Sequence, residues 1–158
     1  RRAAGAMNAA AVFIEADLMQ DLPLASRSLQ PGDAITMLAV LHHIPGQANR
    51  HRLLARAAAL MPPHSRLIIS TWQFMTSERL RKRLLGWDAA GLSAEDLEAN
   101  DYLMRWGEGA AGQRYVAAID AAELLRLAEE TGLQMVTSFT TDGLEGDLNL
   151  YGVFEPAA

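Results

Sequence analysis

The stretch DAITMLAVLHHIPG, which runs from Asp33 to Gly46, decides the fold of this chain. From Asp33 to Val40 the residues after the first are nearly all apolar, a pattern typical of a parallel strand that is buried on both faces. The apolar run stops at two adjacent histidines, with a proline and a glycine close behind, so the chain turns there. Because open α/β sheets bind ligands beyond the carboxyl ends of their strands, His42 and His43 mark a candidate site.

A helix and a second strand follow this turn. Residues 47–61 (QANRHRLLARAAALM) place apolar side chains on one helical face, and the arginines of this segment, Arg50 among them, are available for the solvent side. The predicted helix ends at Pro62. The next apolar segment, Arg66–Trp72 (RLIISTW), has the β-branched residues of a strand. Strand, helix and strand together predict a right-handed parallel crossover.

The C-terminal part of the chain predicts one more helix and a terminal hairpin. Asp120 and Glu123 form a capping box at the start of the helix, and Gly132 stops it. The apolar segments LQMVTSFT (133–140) and LNLYGVF (148–154) flank the turn-rich segment TDGLEGD. These two segments are therefore expected to pair as an antiparallel hairpin.

Two other regions have weaker patterns. The segment AVFIE at Ala11–Glu15 predicts a short strand near the start of the chain. Residues 74–118 are expected to form an irregular helical insert on the substrate side of the sheet. Within this insert, Ser77–Leu85 predicts a basic helix, and Ser93 is positioned to cap a short acidic helix.

Composition and charge limit the classes of function. The 158 residues are 50% hydrophobic and include no cysteine, which fits one globular domain without disulfides or thiolate ligands and favours a cytoplasmic location. No window resembles a membrane span. The net charge of -5 divides into +6 for residues 1–87 and -11 for residues 88–158. This balance argues against nucleic-acid binding along the whole chain, although the basic stretch ERLRKRL can still contact phosphates.

The order of elements and four stretches are similar to the second half of the class I S-adenosylmethionine-dependent methyltransferases. The stretches are IEADLMQDLPL, MLAVLHHIP, LLARAAALMPPHSRLIIS and TGLQMVTSFTTDGLEGDLNLYGVFEP. The resemblance implies an α/β fold, with a Rossmann-like sheet and a C-terminal antiparallel hairpin, and S-adenosylmethionine as methyl donor. No stretch matches the glycine-rich loop of that superfamily. We therefore expect residues 1–158 to form a single partial methyltransferase domain that lacks the N-terminal strands and this loop and is inactive alone.

A narrower resemblance concerns the methyl acceptor. The segments AVLHHIP, Arg114-Tyr115 and GDLNLY are similar to methyltransferases that esterify carboxymethyl-uridine at the wobble position of tRNA. This resemblance implies tRNA as substrate and a small activating subunit as a possible partner, and it implies no membrane contact. Two alternatives stay open, a small-molecule methyltransferase and a non-catalytic binding module that kept the sheet.

The superfamily resemblance also assigns candidate residues to the methyl donor. Asp17 matches the position that accepts a hydrogen bond from the adenine amino group, and the backbone amide of Leu18 meets the ring. Ala39 and Val40, at the carboxyl end of the first strand, would face the methionine portion. The alternative for Asp17 is an ordinary loop aspartate that caps a turn, and for Ala39 and Val40 it is core packing.

Candidates for the chemistry and for the acceptor come from the cleft side of the sheet. His43 and Arg114 are the catalytic candidates, although Arg114 equally suits an ion pair within the acidic half. Adjacent histidines are expected to point in different directions, so no metal site is predicted. The predicted substrate-binding residues are Arg79, Lys82, Arg83, Tyr115 and Asn149. The three basic residues among them have a plain alternative as a solvated helix face. Trp72, Trp87 and Trp106 are interpreted most simply as core or lid aromatics, with stacking of one of them on a base as the alternative.

Overall fold

The computed structural model describes residues 14–20, 29–93, 95, 97–107, 112–143 and 146–157. Its strands are β1 (Ala34–Leu38), β2 (Arg66–Trp72), β3 (Leu84–Leu85), β4 (Asp101–Arg105), β5 (Gln113–Ala117), β6 (Leu133–Thr141) and β7 (Asn149–Pro156). Its helices are α1 (Gln47–Ala59), α2 (Glu78–Arg81) and α3 (Ala121–Glu130), and short 3-10 turns lie at Leu41–His43 and Trp87–Ala90. Of the predicted strand at Ala11–Glu15, residues 11–13 lie outside the described residues, and Ile14 and Glu15 belong to no strand.

The main sheet has the strand order β1-β2-β7-β6. β1 and β2 are parallel and joined through α1, as predicted, so both strands end at the same edge of the sheet. β7 pairs antiparallel with β2 and with β6, which confirms the terminal hairpin. This arrangement is the α/β, Rossmann-like architecture with a C-terminal hairpin.

The core lies on one face of this sheet. Ile35 and Met37 of β1 share a buried cluster with leucines of α1 and α3 and with Phe154 of β7. The alternate residues of β1 point to the other face, where Leu38 is 52% exposed. The prediction that β1 is buried on both faces is therefore wrong for the described residues, because both long helices pack against the same side.

Capping fixes the start of α3. The Asp120 side chain accepts a hydrogen bond from the backbone N–H of Glu123 at 2.9 Å, which is the N-cap half of the predicted capping box. The Glu123 carboxylate bonds Arg126 at 2.8 Å. The helix ends before Gly132, whose φ of 74° is the left-handed conformation that glycine tolerates best. None of the helices described is long and apolar enough to cross a membrane.

The region predicted as an irregular helical insert contains a second sheet. β3, β4 and β5 form an antiparallel sheet in that order, over a small core that includes Phe74, Met104 and Val116. The predicted basic helix at Ser77–Leu85 is limited to α2, because the apolar pair that follows α2 joins β4 as strand β3. The predicted acidic helix after Ser93 includes residues 94 and 96, which lie outside the described residues.

Candidate functional site

The carboxyl end of β1 carries a constrained backbone. Ala39 has a φ of 55°, in the left-handed region that costs a non-glycine residue about 1–2 kcal/mol. Its backbone N–H donates to Ser70 Oγ of β2 at 2.9 Å, which holds the conformation. Strained residues of this kind concentrate at functional sites, and Ala39 was predicted to face the methyl donor.

His42 is fully buried in the 3-10 turn that follows. Its ring stacks on Trp72 with centroids 5.4 Å apart, and its Nδ1 accepts the backbone N–H of Trp72 at 3.3 Å. Burial lowers the pKa of His42 to about 3, helped by His43 and Arg114. Its Nε2 has no hydrogen-bond partner among the described residues.

His43 is half-buried beside it. Its Nδ1 lies 3.1 Å from the carbonyl oxygen of Tyr115. Burial lowers the pKa of His43, and the charge of Arg114 lowers it further, whereas the hydrogen bond to the Tyr115 carbonyl raises it. The centroids of the two histidine rings are 4.3 Å apart, so the expectation that they point in different directions is wrong. A 3-10 turn rather than an extended strand carries them, which removes the alternation on which that expectation relied.

Arg114 and Trp106 complete an aromatic cluster, which we define as His42, His43, Trp72, Trp106 and Arg114. The guanidinium carbon of Arg114 lies 3.7 Å from the centroid of the Trp106 ring, a cation–π contact. The Trp106 ring lies 5.7 Å from that of Trp72, which also meets His43 edge-on at 6.0 Å. The structure thus brings the two predicted catalytic residues, His43 and Arg114, into one cluster. Neither tryptophan was assigned a site role from the sequence, where a tryptophan also suits a core.

Two of the predicted donor-binding residues line one pocket. Leu18 and Val40 belong to a mainly apolar pocket of about 230 Å³, together with side chains of β1 and α1. Asp17 precedes Leu18 and is exposed. Its carboxylate accepts the Met19 backbone N–H at 2.9 Å and the Gln20 side-chain amide at 3.1 Å, so it does cap a turn. Each carboxylate oxygen still has a second lone pair for another donor.

Tyr115 faces away from the aromatic cluster. Its hydroxyl donates to Asp101 Oδ1 at 2.5 Å and accepts from Arg50 Nη1 at 3.0 Å, and burial raises its pKa. Arg50, expected on the solvent side, is only 3% exposed and pairs with Glu98 at 2.7 Å. Tyr115 lines a cavity of about 520 Å³ on this side of the small sheet. The structure therefore separates the side chains of Tyr115 and Arg114, which neighbouring positions in a strand direct to opposite faces.

The basic substrate-binding candidates lie on and just after α2. Arg79, Lys82 and Arg83 are exposed, and Lys82 pairs with Glu78 at 2.7 Å. This pair on one helix face is the solvated arrangement that the sequence left open. None of the three belongs to the aromatic cluster.

Asn149 starts β7 opposite Trp72, the last residue of β2. Its side-chain amide donates to Asp142 at 3.0 Å, and the Tyr151 hydroxyl donates to the same carboxylate oxygen at 2.6 Å. These hydrogen bonds lower the pKa of Asp142 and raise that of Tyr151. Asn149 therefore lies at the edge of the sheet that carries the candidate site. No group of three or more potential metal ligands occurs among the described residues.

Two parallel strands of this α/β fold end at a strained turn, with a mainly apolar pocket beside the turn and a polar aromatic cluster after it. This is the edge at which open α/β sheets bind their ligands. A methyltransferase domain model matches residues 7–138, and the chain belongs to this methyltransferase family. No curated protein matches it in sequence at a significant level.

Solved structures of low sequence identity share the fold. An S-adenosylmethionine-dependent methyltransferase from Methanosarcina mazei has 18% identity and a TM-score of 0.60 over 79% of this chain. The PH0226 protein from Pyrococcus horikoshii has 10% identity and a TM-score of 0.68 over 98%. The 1,6-didemethyltoxoflavin-N1-methyltransferase from Burkholderia thailandensis, solved with S-adenosylhomocysteine, has 18% identity and a TM-score of 0.52 over 80%. The chain spans 59%, 64% and 44% of these three structures, less than two thirds of each.

Proposed function

We propose that the protein transfers a methyl group from S-adenosylmethionine to an acceptor at the carboxyl ends of β1 and β2. One observation carries this proposal: Val40 lines the apolar pocket and leads directly into the turn that holds His42 and His43. A donor bound in the pocket would thus have its reactive end near the aromatic cluster. Membership of the methyltransferase family supports the same reaction.

The described residues fit the adenine end of this donor. The pocket of about 230 Å³ lined by Leu18 and Val40 suits one flat ring system, and the Asp17 carboxylate next to it is an acceptor for an exocyclic amine. When bound, the donor supplies a methyl group activated by a sulfonium charge. The strained backbone at Ala39, which a hydrogen bond to Ser70 holds in place, would face the methionine portion of the donor.

The chain's own residues would bind and orient the acceptor. Arg114 presents a fixed positive charge over Trp106, and Asn149 lies at the same edge of the sheet, opposite Trp72. Alignment of acceptor and methyl group supplies much of the rate enhancement for a reactive electrophile. The roles of His43 and Arg114 as catalytic residues are part of this proposal.

The acceptor that the aromatic cluster supports best is a small molecule. Apart from the fully buried His42, the cluster offers one imidazole, two indoles and one guanidinium, a set that matches a compact polar ring better than a polyanion. The Burkholderia neighbour, which has a small heterocycle bound, supports the same class.

A tRNA wobble uridine carrying a carboxymethyl group is the second candidate. The exposed basic residues of α2 and the turn after it, Arg79 and Arg83 among them, support it as phosphate contacts. We also propose a cytoplasmic location, which the absence of cysteine supports.

Calorimetric titration with S-adenosylhomocysteine tests the proposed function. We expect binding by the parent protein and at least a tenfold loss of affinity in Val40→Trp, which fills the pocket. Val136→Trp is the matched control, because Val136 is 49% exposed on β6 and outside the pocket. A parent protein that does not bind, or two variants with equal affinity, would contradict the proposal. Circular dichroism checks that Val40→Trp remains folded.

A further inference from the structure

Backbone partners fix the tautomers of the two histidines in the aromatic cluster. The Tyr115 carbonyl can only accept a hydrogen bond, so the neutral His43 ring carries its proton on Nδ1 and leaves the lone pair on Nε2. His42 has the reverse arrangement, because its Nδ1 accepts the Trp72 N–H and its proton is therefore on Nε2. Of the two histidines in the cluster, it is His43 whose basic nitrogen, Nε2, has no hydrogen bond to the described residues.

The same surroundings keep the His43 ring neutral. Burial lowers its pKa, and the Arg114 charge lowers it further, against the opposing effect of the Tyr115 carbonyl. Among the described residues, the other titratable groups that act on it are His42, which burial also keeps neutral, and the Arg114 guanidinium. Near neutral pH, His43 is thus an uncharged ring with an available lone pair.

We propose that His43 Nε2 is the general base of the methyl transfer and that the acceptor is a neutral O–H or N–H group rather than a carboxylate. This inference rests on the proposed function. A carboxylate is already ionised at neutral pH and has no proton to give up, so a base placed beside it has no task. A phenol, an amide-like ring N–H or an alcohol does require proton removal.

The step balances as a substitution coupled to proton transfer. The acceptor's lone pair forms the new bond to the methyl carbon, and the methyl–sulfur bond breaks with its electron pair remaining on sulfur. The acceptor's proton moves to His43 Nε2, which becomes imidazolium and later returns the proton to solvent. Arg114 stabilises the negative charge that grows on the acceptor atom as the proton leaves.

Nitrogen NMR of the protein labelled with ¹⁵N-histidine tests the inference without any acceptor. We expect His43 to show a protonated Nδ1 and an unprotonated Nε2 at neutral pH, and to titrate below 6.5. In Arg114→Gln the titration of His43 should move upward, because the neighbouring charge is gone. A proton on Nε2, or a titration that Arg114→Gln leaves unchanged, would overturn the inference.

A product assay separates the two acceptor classes. The protein is incubated with S-adenosylmethionine that carries a deuterated methyl group and with matched phenol, 2-pyridone (a cyclic amide) and benzoate probes, and the products are analysed by mass spectrometry. We expect ether or N-methyl products that fall about 100-fold or more in His43→Gln and persist in the exposed control His64→Asn. A benzoate ester that persists in His43→Gln would overturn the inference. If calorimetry shows no binding of the methyl donor, the proposed function is wrong. If the donor binds but His43 carries its proton on Nε2, only the assignment of His43 as general base is wrong.

Discussion

Protonation of His42 is predicted to couple the stability of the fold to pH. The ring is fully buried, stacked on Trp72 and bonded through Nδ1 to the Trp72 backbone, so the folded protein holds it neutral. Burial, then the neighbouring His43 and Arg114, lower its pKa from 6.5 to about 3. In the unfolded chain the same ring titrates near 6.5.

The sign and size of the effect follow from proton linkage. Below pH 6.5 the unfolded chain binds a proton at His42, whereas the folded protein keeps this ring neutral down to a pH of about 3. The contribution of His42 to the free energy of unfolding is therefore fully present above pH 6.5 and is lost as the pH falls toward about 3. Each pH unit in that window costs about 1.4 kcal/mol, and the whole window costs at most about 5 kcal/mol.

Urea unfolding of the parent protein and of His42→Asn at several pH values between about 7.5 and 4 measures this effect. Asparagine keeps an oxygen that can accept the Trp72 N–H but cannot titrate. The free-energy difference between the two proteins should shrink by about 1.4 kcal/mol per pH unit below 6.5, since the carboxylates common to both cancel. A difference that stays constant across the range, or an NMR titration of His42 near 6.5, would refute the reasoning.

Three further predictions concern other candidate residues. Tyr115→Phe should lower the unfolding free energy by about 1.5–3 kcal/mol, because a buried arginine and a buried aspartate each lose a partner; an unchanged urea midpoint would contradict this. Asp17→Ala should weaken S-adenosylmethionine binding by about 1.5–3 kcal/mol, and equal calorimetric affinities would remove Asp17 from the site. If tRNA is the acceptor, changing Arg79, Lys82 and Arg83 to glutamine should reduce the slope of log affinity against log salt by roughly 0.7–0.9 for each lost phosphate contact, whereas an unchanged slope counts against tRNA.

Sequence pattern predicted the elements that long apolar runs and strong caps define. β1, α1, β2, α3 and the hairpin lie where periodicity and capping placed them. The small sheet was missed because β3 has two residues and β4 and β5 have five each, too few for alternation to stand out.

The burial of Arg50 could not be predicted from the helical stripe. Its partners, Glu98, Asp101 and the Tyr115 hydroxyl, come from the insert, far along the chain. Helical periodicity reports only which residues share a face, and it treats an arginine on that face as solvated. These partners offset the desolvation cost of burying Arg50, and they reach it only through tertiary contacts.

The same limit applies to the candidate site. The sequence named His43 and Arg114 as catalytic candidates, but it did not show what brings them together: the hydrogen bond from His43 to the Tyr115 carbonyl joins β5 to the turn after β1. The two tryptophans of the cluster carry no sequence signal that separates a site residue from a core residue. Positions on one continuous stretch, such as Ala39 and Val40, were easier to place.

β5 connects the buried ion network to the aromatic cluster. Arg114 points toward the cluster and Tyr115 points away from it, while the Tyr115 carbonyl bonds His43. Buried charges such as those of Arg50 and Asp101 cost desolvation energy and are a poor source of net stability. Here they clamp the Tyr115 hydroxyl, and through it the backbone that fixes the proton of His43 on Nδ1. We therefore interpret the network of Arg50, Asp101 and the Tyr115 hydroxyl as one that positions the candidate base His43 rather than one that stabilises the main core.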